Sequence, residues 1–147
     1  MLFLISLFVF NFSFFMNSAP SAKTDTKFYE LRIYHCEPGK LGDLISRFRD
    51  HTTALFEKHG MTNVGYWVPT KADNNSLYYV LSYPDRASRD NSWKAFGNDE
   101  AWKSARQNSE LNGKIVKSVE SIFLQTEDFS PVIKSTAKTP ERVFELR

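Results

Sequence analysis

The side chains of widest chemical range in this chain are its three histidines, one cysteine and a dense set of Trp and Tyr. His59 ends an apolar helical arc beside Gly60. There an imidazole either donates to the last helix carbonyls and favours the negative end of the dipole, or serves as a base or ligand where helix meets sheet. Tyr66 and Trp67 follow in an aromatic strand, and His59, Tyr66 and Trp67 are the pocket candidates; no catalytic residue is assigned. His35 and His51 stand at no short ligand spacing from each other or from His59, so no metal site is expected. Cys36, alone in the chain, cannot form an internal disulfide, and a structural or intermolecular role ranks ahead of a nucleophile. Trp67, Trp93 and Trp102 with Tyr66, Tyr78 and Tyr79 either fill core and interface or line a pocket for a flat apolar ligand. Arg89 and Arg106 belong to a solvated face or meet an anionic ligand. No glycine loop that cradles phosphate and no nucleophile elbow appears, and no cofactor is expected.

These side chains need elements to hold them. Phe28 to Tyr34 alternates as a strand: Tyr29, Leu31, Ile33 and His35 share one side, Phe28, Glu30, Arg32 and Tyr34 the other. Glu30 and Arg32, two apart, make either a solvated ion pair or a register-setting pair at a sheet-to-sheet contact. Glu37-Pro38-Gly39-Lys40 is a turn, with Pro38 placed to start a helix. Leu41, Leu44, Ile45, Phe48, Thr52, Leu55, Phe56 and His59 then fall in one helical arc, and Gly60 ends it. Val64 to Val68 and Leu77 to Tyr83 read as strands around a long loop that holds the sequon Asn74-Asn75-Ser76. Asp85 and Asp99 can cap two further helices, Gly97-Asn98 separates them, Asn112-Gly113 turns, and Ile115 to Leu124 is a fourth strand. The order β-α-β-β-α-β is the ferredoxin-like arrangement, an α+β fold with a four-stranded antiparallel sheet and helices on one face. Bulky residues on both strand faces leave an apolar face for a second sheet. Trp67, Tyr78, Val80, Glu30 and Arg32 are the expected interface residues, toward a homodimer or a tandem domain.

Residues 1–22 carry no charged side chain and hold six of the thirteen Phe, an almost wholly apolar run from Met1 to Met16 ending in the small polar stretch Asn17 to Ala22. This is the order of a signal peptide, and an uncleaved membrane anchor is its alternative. Secretion or a periplasmic address follows as an expectation, with residues 23–26 a short lead. Lysines and arginines are scattered among acids at a net charge of +2, so the basic stripe of a nucleic-acid binder is missing. Residues 27–125 form the expected domain and 126–141 a linker. Val143-Phe144-Glu145-Leu146-Arg147 echoes Phe28-Tyr29-Glu30-Leu31-Arg32, so 142–147 reads as the first strand of a truncated second repeat.

Tyr29-Glu30-Leu31-Arg32-Ile33-Tyr34, Pro38-Gly39-Lys40-Leu41, Lys58-His59-Gly60, Gly65-Tyr66-Trp67, Leu81-Ser82-Tyr83 with Arg89, and Asp99-Glu100-Ala101-Trp102 together resemble a NIPSNAP domain of the dimeric α/β-barrel superfamily. The resemblance covers roughly residues 27–125. It implies sheet-to-sheet pairing of two domains, often in tandem, and carries no catalytic residue, because the family has no agreed mechanism. Animal members are associated with mitochondria and vesicle trafficking, from which the apolar N-terminus departs. The function expected is a dimerising binding or assembly module that can hold a small apolar ligand. The alternative is a cofactor-independent monooxygenase or isomerase, since superfamily relatives include such enzymes.

Overall fold

The computed structural model describes residues 26–71, 74–131 and 145. The signal peptide expected at 1–22 and most of the strand expected at 142–147 lie outside them. Glu145, the one described residue of that last stretch, is exposed and belongs to no strand.

Nine elements follow the expected order: β1 (Phe28–Cys36), α1 (Leu41–Arg47), a π-helical segment (Phe48–Thr52), α2 (Thr53–Lys58), β2 (Thr62–Trp67), β3 (Ser76–Tyr83), α3 (Arg86–Asn98), α4 (Glu100–Ser109) and β4 (Val116–Gln125). The four strands make one antiparallel sheet in the order β2-β3-β1-β4. Residues paired across an antiparallel ladder share a face. Thus Glu30, Leu81 and Phe123 lie on one side, as do Arg32, Tyr79 and Ser121, while Leu31, Val80 and Ile122 lie on the other. The fold is α+β, as expected, with the helices packed on the Glu30 side.

The core sits between that side and the helices. Leu44, Phe48 and Phe56 from the first helical stretch meet Leu77, Tyr79, Leu81 and Tyr83 of β3, and Phe96 of α3 closes over them. The first stretch begins at Leu41 rather than at Pro38, because Gly39 takes a left-handed φ of 74° that stops the turn from continuing as helix. Of its buried residues, Leu44, Phe48, Thr52 and Phe56 recur every four positions, Arg47 standing outside that row. A regular helix would rotate such a row off the core; the π segment, with its wider i→i+5 turn, absorbs the excess. Thr52 Oγ1 donates to the Arg47 carbonyl at 3.1 Å inside that segment.

The helix ends as a Schellman motif. Gly60 N donates to Glu57 O and Met61 N to Phe56 O, both at 3.0 Å, with Gly60 at φ 77° and Met61 buried. Gly60→Ala should therefore cost about 1–2 kcal/mol through left-handed strain alone, since a Cβ there meets nothing closer than Ser92 Oγ at 3.6 Å. Urea unfolding would measure it. Asp85 and Asp99 cap α3 and α4 as expected, accepting from Ser88 N and Ala101 N. Gly97 and Asn98 stay helical at the end of α3, so Asp99 alone separates the two helices.

Candidate functional site

Glu30 is fully buried at the centre of the sheet. Its Oε1 accepts from Arg89 Nη2 and Arg32 Nη1, both at 2.7 Å, and from Ser121 Oγ. Its Oε2 accepts from Arg89 Nε and Trp93 Nε1 at 3.0 Å and from Tyr83 Oη at 3.1 Å. Arg89 therefore grips both oxygens with its fork, the strongest geometry open to a carboxylate. Burial by itself would raise the acid's pKa; the bonds from Arg89, Ser121 and Arg32 outweigh it and bring it down to about 2. Arg32 also donates to Tyr79 Oη at 3.0 Å and lies 4.2 Å over the Trp93 ring. The carboxylate is fully occupied, and the network ties α3 to three strands.

This placement corrects the expectation for Glu30 and Arg32. They are neither a solvated pair nor part of a sheet-to-sheet contact, because α3 covers their face and supplies Arg89 and Trp93. Arg89 does meet an anion, and the anion is Glu30.

The three pocket candidates are not brought together. His59 Nε2 bonds Asp99 Oδ2 at 2.7 Å, the carboxylate that caps α4 and also binds Lys58 Nζ at 2.7 Å. Hydrogen bonds from Lys58 and His59 hold Asp99 well below the usual carboxylate range. His59 thus links the end of α2 to the start of α4, rather than donating to its own helix carbonyls. Tyr66 faces the helices, stacked on Tyr79 at 5.5 Å and bonded to Asn63 Oδ1 at 2.5 Å; burial raises its pKa far above the ordinary 10.0. Trp67, paired with Tyr78, lies on the opposite face, its ring folded over Gly65. Cys36 is buried, and burial pushes its thiol up despite Arg47 nearby, so it is a poor nucleophile.

The helix–sheet interior is filled by rings: Phe56 stands 4.9 Å from Phe96 and 5.4 Å from Trp93, and Phe48 5.1 Å from Tyr79. Open space lies elsewhere. A shallow groove of about 520 Å³ runs past the C-terminal end of β1, lined by His35, Cys36, Lys71, Asn74, Asn75, Ser76, Lys117 and Ser118. Its lining is polar, unlike the apolar pocket expected from the aromatics.

Three strands build this groove. His35 is paired with Ser76 of β3 on one side and Ser118 of β4 on the other, so all three project from the face without helices. Between His35 and Cys36 the ladder to β4 slips, Cys36 pairing with Val116 and Lys117 being the extra residue. Such bulges re-aim side chains, and here the bulged lysine lines the groove. Asn75 fastens the floor, donating to the carbonyls of Cys36 at 3.1 Å and Glu37 at 2.6 Å. Reasoning from the chain missed Ser76, Lys117 and Glu120, which lie far from His35 in sequence and gather only once the strand register is known.

The NIPSNAP family model matches residues 29–131. A crystal structure of an uncharacterized NIPSNAP domain protein from Burkholderia xenovorans is similar at 20% identity and a TM-score of 0.62, over 71% of this chain and 99% of that one. A NIPSNAP family protein from Agrobacterium tumefaciens is similar at 21% identity and a TM-score of 0.64, over 72% and 98%. A second Agrobacterium tumefaciens protein of the family, of unknown function, is similar at 18% and 0.64, over 76% and 97%. Among curated proteins nothing matches the chain.

Proposed function

This chain belongs to the NIPSNAP family, and from that premise we propose that it acts as an exported, dimerising module that holds a small ligand. The observation that carries this reading is the sheet face turned away from the helices. Leu31, Ile33, Tyr78, Val80, Ile122 and Leu124 share that face; Leu31 and Ile33 at its centre are buried, and Ile122 and Leu124 at the β4 edge remain 44% and 43% exposed. A second copy offers the same apolar field about a two-fold axis, so one patch serves both partners of an isologous interface. A single cysteine and a domain of about 100 residues give an exported chain few other means of stabilisation. The apolar residues 1–22 support export, and the groove at His35 supports a ligand bearing hydrogen-bonding groups.

Native mass spectrometry of the chain recovered from cells reads the two main parts together. A dimer is expected, each subunit beginning after Ala19 or Ala22. Val80→Arg with Ile122→Arg should give monomers, since two buried charges on each side of the interface would be left unpaired. A wild-type monomer would overturn the pairing, and a subunit that keeps residues 1–22 would overturn cleavage. A dimer that survives both arginines would move the interface to another face.

A further inference from the structure

We propose that Ser76, His35 and Glu120 form a nucleophilic site that cleaves small activated esters by acyl transfer. His35 Nδ1 lies 2.9 Å from Ser76 Oγ and its Nε2 lies 2.6 Å from Glu120 Oε1. The carboxylate of Glu120 only accepts, so neutral His35 carries its proton on Nε2 and Nδ1 is left to accept from the Ser76 hydroxyl. That is the order nucleophile, base, orienting acid on which serine acyl transfer depends, with the two imidazole nitrogens exchanged. Ser76 is 3% exposed and lines the groove. A substrate carbonyl must therefore reach the strand floor of the groove to meet that oxygen. Lys117, set out of the strand alternation by the bulge, lines the same groove, where its ammonium can take the charge that develops on the carbonyl oxygen.

Atoms balance without any added reagent. Ser76 Oγ bonds to the ester carbonyl carbon while its proton passes to His35 Nδ1; the carbon–oxygen bond to the alcohol breaks, and the alcohol leaves with that proton. Water then repeats the sequence on the acyl-serine, freeing the acid and restoring Ser76. Lys71 and Lys117 favour acyl groups that carry a carboxylate. All three residues come from one chain and lie on the helix-free face, Glu120 being paired with Ile33, so probe labelling of Ser76 reads this site while native mass spectrometry reads the pairing, and either can fail without the other.

The test treats the full chain with a fluorophosphonate probe and with p-nitrophenyl acetate. Wild-type protein should gain one probe mass, located on Ser76 by peptide mapping, and Ser76→Ala should gain none. His35→Phe should slow both reactions about 100-fold or more. Glu120→Gln, at a side chain 57% exposed and so without consequence for folding, should lower kcat about 100-fold and leave KM unchanged. A merely structural glutamate would leave kcat alone. No adduct on the wild type, an adduct that persists in Ser76→Ala, or unchanged kcat in Glu120→Gln overturns the assignment.

Discussion

Glu30→Ala is expected to lower the free energy of unfolding by about 3–5 kcal/mol, the usual consequence of removing one partner from a buried ionic cluster. A domain of this size has only about 5–15 kcal/mol to lose. The loss is large because Arg89, Arg32, Trp93, Tyr83 and Ser121 all direct donors at the missing carboxylate, and two of those donors are cations that stay half-buried. Glu30→Gln keeps the shape and part of the bonding, so it should be milder. Replacing Glu30 and Arg89 together by Met should cost less than the two single changes summed, since the stranded charge goes with its partner. Acid unfolding supplies a second readout. Glu30 titrates at about 2 in the folded chain against an ordinary 4.5, so the carboxylate's contribution is whole above pH 4.5. It is lost as the pH falls toward 2. Glu30→Gln should flatten that limb of the stability curve; an unchanged limb would mean that other acids govern it.

Phe56→Ala is expected to cost a further about 3–5 kcal/mol, the range for truncating a buried Phe. Phe56 is 1% exposed and its ring touches Phe48, Tyr79, Trp93 and Phe96. These neighbours cannot collapse into the space. Tyr79 is held through its hydroxyl by Arg32, and Trp93 through its ring nitrogen by Glu30 and Tyr83, so a cavity persists. Phe56→Leu fills much of it and should cost less than about 1.5 kcal/mol. Urea unfolding followed by tryptophan fluorescence measures both; similar losses for Ala and Leu would show that the site relaxes.

The order of elements, the fold and both aspartate caps could be read from the chain, because alternation, helical arcs and capping residues are local signals. The two faces of β1 were legible for the same reason. Which face the helices cover was not: the ion pair Glu30–Arg32 looks like a surface pair until Arg89 and Trp93 arrive from α3. His59 was placed correctly at its helix end, yet its partner Asp99 lies 40 residues away. The groove was the least legible part. His35 meets Ser76 at a separation of 41 residues and Glu120 at 85, and only the register of three strands makes them neighbours. The π segment also escaped notice, because a row repeating every four residues still fits a broad arc at the usual helical period.

The sheet order carries a consequence for the life of the chain before it folds. Among the described residues β1 is the first strand in the chain and lies between β3 and the last, β4, and Glu30 is bonded to Ser121 across 91 positions. A nascent polypeptide emerging from the ribosome therefore has half the ladder of its first strand, and one donor to its buried acid, missing until synthesis nears Gln125. Contacts this distant slow folding. A chain so wired cannot close its sheet, or complete the bonding of its buried acid, before the residues of β4 have been made.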